Sequence, residues 1–276
     1  MATAFPDVPV LERALDLAAR SPSTRNAQPW RWLVDRRGVH LMADWNRRLG
    51  DTDSDRRDVV LSCGAVLHHC SVALGAAGWA ARIRRIPGDG VLAVMELDRR
   101  APGEGIVELA GAIARRRTDR RPYRGALPAG TLELLVVHAA RVGVQVAVVP
   151  TDRWGRTGAQ EVTLRYPDSD NPQRAGDHDD DATMLVLATG GDTDELRLRA
   201  GEALSDLTLS ATALGLATCP LTEPLSDTRD RLALACDVFD GEAYPQALLR
   251  IGRQPNPDPL PPADRRPVAE TTTFRL

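Results

Sequence analysis

Apolar residues recur at helical spacing over Val10–Arg20, and the pattern stops at Ser21-Pro22-Ser23, because Pro22 disfavours helix at the residue before it. Two short runs, Trp30–Val34 and Val39–Met42, predict strands on either side of a turn at 35–38. From Val59 to Ala81 the chain runs 23 residues without Asp, Glu or Arg. That length could cross a bilayer. The stretch also carries His68, His69, Ser62, Ser71 and several glycines and alanines, and no second comparable span exists, so it predicts a buried helix. Ala81–Ile86 and Val91–Leu97 predict a hairpin around Pro87-Gly88-Asp89-Gly90.

The second part of the chain repeats this plan. Val107–Arg117 and Thr131–Arg141 read as helices, Val142–Val149 and Thr183–Thr189 as buried strands, Glu195–Leu216 as a long helix of small residues, and Ala243–Gly252 as the last core strand. A proline-rich tail, Pro255–Pro262, then carries the chain away. Gly64–Ile83 aligns without gaps on Gly201–Pro220, matching at Gly64/Gly201, Leu67/Leu204, Ala76/Ala213, Gly78/Gly215 and Ala80/Ala217. Thr131–Val149 likewise resembles Leu11–Val34, with a gap in the later copy. The shared order of helix, strand and long helix predicts an internal duplication. Residues 1–104 and 105–276 would form two intertwined halves, packed through their small-residue helices. The acidic segment Asp168–Asp181 reads as a solvated loop. It lacks the Gly and Glu positions of an EF-hand, holding Gln173 and Asp179 there.

Composition narrows the chemistry. The 276 residues carry 35 basic and 38 acidic side chains, a net charge of −3, which argues against a nucleic-acid partner. Every basic residue is arginine; the absence of lysine excludes Schiff-base chemistry and Walker-type phosphate loops. Cys63, Cys70, Cys219 and Cys236 are too few and too scattered for a disulfide framework. The first residues lack the basic start of a secretory signal, and a reducing cytoplasm is the expected compartment.

Three segments carry candidate chemistry. Ser21–Trp30 (SPSTRNAQPW) follows a helix end and is dense in hydroxyls and amides, suited either to an ordinary capped turn or to gripping a heteroaromatic edge. Arg115–Arg124 (RRRTDRRPYR) gathers six arginines, either a solvated helix end or a phosphate grip. Thr218–Glu223 (TCPLTE) follows the second long helix and says little alone. Cys63, His68, His69 and Cys70 lie too far round one helix to share a metal, so no metal site is expected. GxGxxG after a strand, GxSxG, HExxH and CxxC are all missing.

The run SPSTRNAQPWRWLV resembles the SPSxxNxQPW motif of the flavin-dependent nitroreductase family, and most of the chain, from about Val10 to Glu270, is similar to its Acg-type branch, in which two halves are fused. The resemblance implies an α+β nitroreductase-like fold, with mixed or antiparallel sheets flanked by helices in a fused pseudo-dimer. It also implies FMN between the halves. Arg116, Thr118 and Arg120, with Arg117 between them, match the family's phosphate cluster. Pro220, Leu221, Thr222 and Glu223 match the loop that lays backbone amides over the flavin. Arg265 or Arg266 matches a tail arginine that reaches the phosphate. Pro22, Ser23, Thr24, Asn26 and Gln28 match the loop from the opposite half. Pro224 stands where many relatives keep glycine and has no N–H to offer.

Each half lacks what the other supplies, so one FMN per chain is expected. No catalytic acid or base is assigned, since the hydride chemistry is the cofactor's. The implied activity is ping-pong transfer from NAD(P)H through FMN to a nitroaromatic or quinone-type acceptor. The alternatives are a protein that sequesters FMN without turnover and a degenerate member without flavin. No membrane is expected, and the chain would act as a monomer or as a homodimer of fused pseudo-dimers.

Overall fold

The computed structural model describes residues 5–88, 90–157, 161–164, 180–254, 258 and 260–276. Two long helices sit at its centre. α2 (Asp53–Ala76) starts on a capping box in which Asp55 N–H donates to Thr52 Oγ1 and Thr52 N–H donates to Asp55 Oδ2. Thr193 caps α5 (Asp194–Ala213) in a similar way, accepting from Leu196 N–H. α2 packs along α5 and is covered elsewhere by α1 (Val8–Ala18), α3 (Glu104–Arg115) and the first sheet. Its apolar stretch, long enough to span a membrane, is therefore the core of the molecule: Val60, Val66 and Leu67 are fully buried.

The same order of elements occurs twice. α1 is followed by β1 (Trp30–Asp35), β2 (Gly38–Ala43), α2, β3 (Trp79–Gly88) and β4 (Val91–Arg99). α4 (Thr131–Ala140) is followed by β5 (Gln145–Val148), a small hairpin of β6 (Trp154–Thr157) and β7 (Glu161–Leu164), then β8 (Thr183–Thr189), α5, β9 (Ala217–Leu221) and β10 (Tyr244–Gly252). The first sheet runs β1-β2-β4-β3 and the second β5-β8-β10-β9, so corresponding strands take corresponding places. Gly78 (φ +86°) and Gly215 (φ +75°) end the two long helices and turn the chain into β3 and β9. Glycine alone enters that left-handed region without strain, which explains why both copies carry it. β11 (Thr272–Arg275), after α7 (Val268–Thr271), adds to the first sheet parallel to β1.

Several expectations need correction. The strand expected over Val142–Val149 starts only at Gln145, because Gly143 (φ +75°) closes a turn after α4. The hairpin β6–β7, α6 (Thr228–Phe239) and β11 were not foreseen; β11 is short and rich in threonine, and only its neighbour β1 makes it a strand. The proline-rich tail does not carry the chain away. Arg117 Nε–H donates to the Leu260 carbonyl oxygen at 3.1 Å, and the described residues beyond it fold back onto the first half. Residues 168–179 of the expected acidic loop lie outside the described residues. The side chain of Asp180, at its end, is not solvated: it is 3% exposed, accepts Tyr123 N–H at 2.8 Å and pairs with Arg156 and Arg250. His68 and His69 both meet Ser205 Oγ, at 2.8 and 2.7 Å, and burial holds both imidazoles below their ordinary pKa.

Candidate active site

α1 ends at Ala18, and the next segment closes on itself before Trp30 enters β1. Ser23 Oγ accepts the Gln28 N–H at 3.1 Å, and Ser62 Oγ on α2 accepts the Thr24 N–H at 3.4 Å. The loop holds three non-glycine residues at positive φ: Arg25 (+47°), Asn26 (+56°) and Gln28 (+49°). Each such residue costs on the order of 1 kcal/mol or more, and such strain persists only where surrounding contacts over-determine it. The C-terminal tail supplies those contacts. Gln28 Oε1 accepts the Arg266 N–H at 2.8 Å, Asn26 Nδ2–H donates to the Asp264 carbonyl at 3.0 Å, and Arg265 Nη1–H donates to Asn26 Oδ1 at 2.8 Å.

Opposite this loop, Thr118 bridges to Thr218, and Asp119 N–H donates to the Thr218 carbonyl at 2.9 Å. The arginine run is thereby tied to the start of β9. Arg116, 4% exposed, donates to the Arg20 carbonyl at 3.1 Å and to Thr118 Oγ1 at 3.4 Å. Arg265 donates to the same Arg20 carbonyl at 3.3 Å. The buried Nε–H groups of both side chains have no partner. Burial, then Arg265 and Arg117, pull the Arg116 guanidinium down to about 9; burial, then Arg117 and Arg20, lower Arg265 as well. Among the described residues no carboxylate stands within ion-pair distance of Arg116, Arg117 or Arg265. Desolvated, mutually repelling cations with free donors call for an anion.

Between the two segments lies a cavity of about 450 Å³. Pro22, Ser23, Thr24, Asn26, Arg116, Arg117, Thr118, Arg120, Pro220, Leu221, Thr222, Glu223 and Arg265 all line it. Gln28 and Arg266 do not. They stand behind the loop, where Arg266 also donates to the Gln28 carbonyl and approaches Asp44 and Glu270. Arg120 faces Glu223 at 3.5 Å rather than joining Arg116. The Thr222 N–H donates to Glu223 Oε2 at 3.2 Å, so that amide is engaged by its own neighbour. Thr24 and Thr222 meet hydroxyl to hydroxyl at 3.4 Å, closing the seam between the two segments.

No protein-family model matches the chain. Two Mycobacterium tuberculosis proteins match it nearly end to end. One, named "Putative NAD(P)H nitroreductase Rv3131", is 39% identical over 323 residues, covering 99% of this chain and 94% of its own length. The other, "Putative NAD(P)H nitroreductase acg", is 32% identical, covering 96% of each. The chain belongs to the nitroreductase family. A solved structure of a "putative nitroreductase" from Anabaena variabilis superposes with a TM-score of 0.58 over 91% of this chain and 90% of that one, at 12% identity, and shows the same nitroreductase fold.

The cavity of this nitroreductase-family chain has a floor that the motifs did not reveal. Leu61, Ser62 and Ala65 come from α2, Leu204 from α5, and Leu260–Ala263 from the tail; Arg20, Arg25 and Asp16 stand at its edge. Leu61 and Ala65 share one helix face, and Leu204 is the residue that aligned with Leu67, so the small-residue alignment held part of this signal. The apolar floor and the cationic wall together suit a flat, largely apolar ligand that carries an anion.

Proposed function

We propose that the cavity holds one FMN per chain and that the protein is an NAD(P)H-dependent oxidoreductase delivering electrons to a nitroaromatic or quinone-type acceptor by a ping-pong cycle. The observation that supports it most is the Arg116–Arg265 pair: one buried and one half-buried guanidinium, each with an unpartnered Nε–H and, among the described residues, no carboxylate within ion-pair distance, both lining an apolar-floored cavity. Arg116, Arg117 and Arg265 would hold the phosphomonoester. Leu61, Ala65, Leu204 and Leu221 would flank the ring system, and the 22–28 and 220–223 segments would close its two sides. FMN supplies the hydride chemistry when bound; the chain's part is to orient it, neutralise its phosphate and exclude water.

The halves 1–104 and 105–276 would act as a fused pseudo-dimer, with both walls of the site on one chain and no second copy needed to complete it. Cytoplasm is the proposed compartment. A storage protein that keeps FMN without turnover is the second reading, favoured by the tail segment Leu260–Ala263, which folds against the cavity.

The test is an anaerobic spectrum of the FMN-loaded protein before and after NADPH, then NADH. Bleaching of the oxidised flavin band within seconds is the expected result. A band that persists with nicotinamide and bleaches with dithionite would establish storage, and failure to retain any flavin would overturn the cofactor assignment.

A further inference from the structure

Asp58 lies one helical turn before Ser62 on α2. Ser62 Oγ–H donates to the Asp58 carbonyl at 2.7 Å. The Asp58 carboxyl faces the hydroxyl of Thr222, the same hydroxyl that meets Thr24 at 3.4 Å. Its Oδ1 is buried and has no hydrogen-bond partner. Arg57 is next to it in sequence, but that guanidinium turns away, donating to Ser54 Oγ at 3.0 Å and to the Leu225 carbonyl at 2.9 Å. Burial pushes the Asp58 carboxyl up to about 6; Arg57 and Thr222 oppose the rise, and Glu223 and Asp55 add to it. The charged groups around it are Asp53, Asp55 and Arg57 on α2, Arg47 from the turn at 45–47, Arg25, Glu223, and Arg231 from α6.

A second cavity opens beside this carboxyl. Thr24, Ser62 and Thr222 line the cavity proposed for FMN, whereas Asp58 lines a second, polar one of about 470 Å³ behind the Thr24–Thr222 seam. Thr24, Arg25 and Glu223 line both. A nitro or carbonyl oxygen that receives an electron pair as hydride must also gain a proton. The acids that line the first cavity are poor sources: Asp16 is exposed at its edge and Glu223 is paired with Arg120.

We propose that Asp58 supplies the acceptor's proton through the Thr222 hydroxyl and is recharged from water in the polar cavity behind it. This rests on the oxidoreductase reading above. The Asp58 O–H bond breaks as its proton passes to Thr222 Oγ1, and the Thr222 hydroxyl proton passes to the acceptor oxygen, where a new O–H bond forms. The electron pair arrives separately as hydride, so a quinone, one hydride and one proton give the hydroquinone. Asp58 is left as carboxylate and regains its proton from solvent. It touches neither acceptor nor cofactor, and acts only through Thr222.

The experiment compares the FMN-loaded, reduced wild type with Asp58→Asn and Asp58→Glu during anaerobic reoxidation. Benzoquinone, which takes up protons, is set against ferricyanide, which takes electrons alone. The benzoquinone rate of the wild type should fall as pH rises through about 6. Asp58→Asn should lower it about tenfold or more and remove that pH dependence, while Asp58→Glu restores part of it. Ferricyanide rates should not follow the substitution. A second readout needs no flavin: the infrared band of a protonated carboxyl should disappear through about pH 6 in wild type and be missing from Asp58→Asn. Equal losses with both acceptors, an unchanged benzoquinone rate, or an Asp58 already ionised at about pH 4 would overturn the relay while leaving the oxidoreductase reading intact. A wild type that takes up no FMN would overturn both.

Discussion

Gly64 on α2 and Gly201 on α5 each stand against the other's helix. A Cβ on Gly64 would run into the Leu198 carbonyl oxygen and lie 3.0 Å from the Glu202 nitrogen; a Cβ on Gly201 would run into the Leu61 carbonyl oxygen and lie 3.0 Å from the Ala65 nitrogen. Leu61 and Leu198, the two glycines, and His68 and Ser205 are all separated by the same 137 positions. The contact is thus reciprocal, as across a twofold axis. Because the obstacles are backbone atoms, no rotamer change relieves them. Gly64→Ala or Gly201→Ala should cost about 3 kcal/mol or more. Gly111→Ala, on an exposed helix position where the new methyl group makes ordinary contact, should be neutral or slightly stabilising. Urea denaturation midpoints compare them, and a Gly64→Ala protein as stable as Gly111→Ala would refute the close approach.

Arg265 and Arg116 repel each other without an anion between them. Inorganic phosphate should therefore stabilise the flavin-free protein, by about 2.7 kcal/mol at a hundred times its dissociation constant. Arg265→Gln should abolish the gain from phosphate. Thermal melts in phosphate against chloride at equal ionic strength measure both. A phosphate shift that survives in Arg265→Gln would place the anion elsewhere.

Gln28 lies outside the cavity but fastens its loop to the tail. Gln28→Leu strands the Arg266 N–H and should cost about 1–3 kcal/mol. Flavin release should also quicken, since the loop at 24–28 relies on these contacts to hold its positive-φ backbone. Stopped-flow dilution of the loaded protein follows the release; a destabilised variant with an unchanged release rate would mean the tail bonds support the fold alone.

Asp180 anchors the second half. Its carboxylate lies 3.4 Å from both Arg156 Nη1 and Arg250 Nε, and Arg250 stacks over the Tyr123 ring with 4.2 Å to the centroid. Removing one partner of a buried pair leaves an uncompensated charge. Asp180→Ala should therefore cost about 3–5 kcal/mol. An effect below about 1 kcal/mol in urea unfolding would show that water reaches Arg250.

The buried Asp58 carboxyl carries a stability signature as well. Its folded pKa, about 6, stands above the ordinary 3.8, so between those values the folded chain keeps a proton that the unfolded chain has released. Stability should fall as pH rises through that window and stay lower above it. Asp58→Asn should show no advantage at about pH 3 and one of about 2–3 kcal/mol at about pH 8. Equal pH dependence in the two proteins would contradict the raised carboxyl.

Much of the frame was legible because it rests on local pattern. Periodicity marks α1, a long uncharged run marks α2, small-residue composition marks α5, turn residues mark the β3–β4 hairpin, and Gly78 and Gly215 match because both stand at the same left-handed helix end. The SPSTRNAQPW and RRRTDRR runs identified the segments that form the cavity walls. β11 and the hairpin β6–β7 were not legible, since strands of four residues owe their state to the neighbours they pair with. α6 was missed for a related reason: within Thr228–Phe239 only Leu234 and Ala235 are buried, too few to set a helical stripe.

Sequence alone therefore determined the longer elements, their repeated order, and which segments are rich in donors. Tertiary structure alone decided which donors are free. Arg116, Arg120 and Arg121 are chemically identical neighbours, yet Arg116 is buried beside Arg265, Arg120 faces Glu223, and Arg121 holds Asp119. The bridge from Thr118 to Thr218 sets those directions. For Arg116 and Arg120 the deciding residues, Arg265 and Glu223, lie more than a hundred positions away, and no local spacing encodes them.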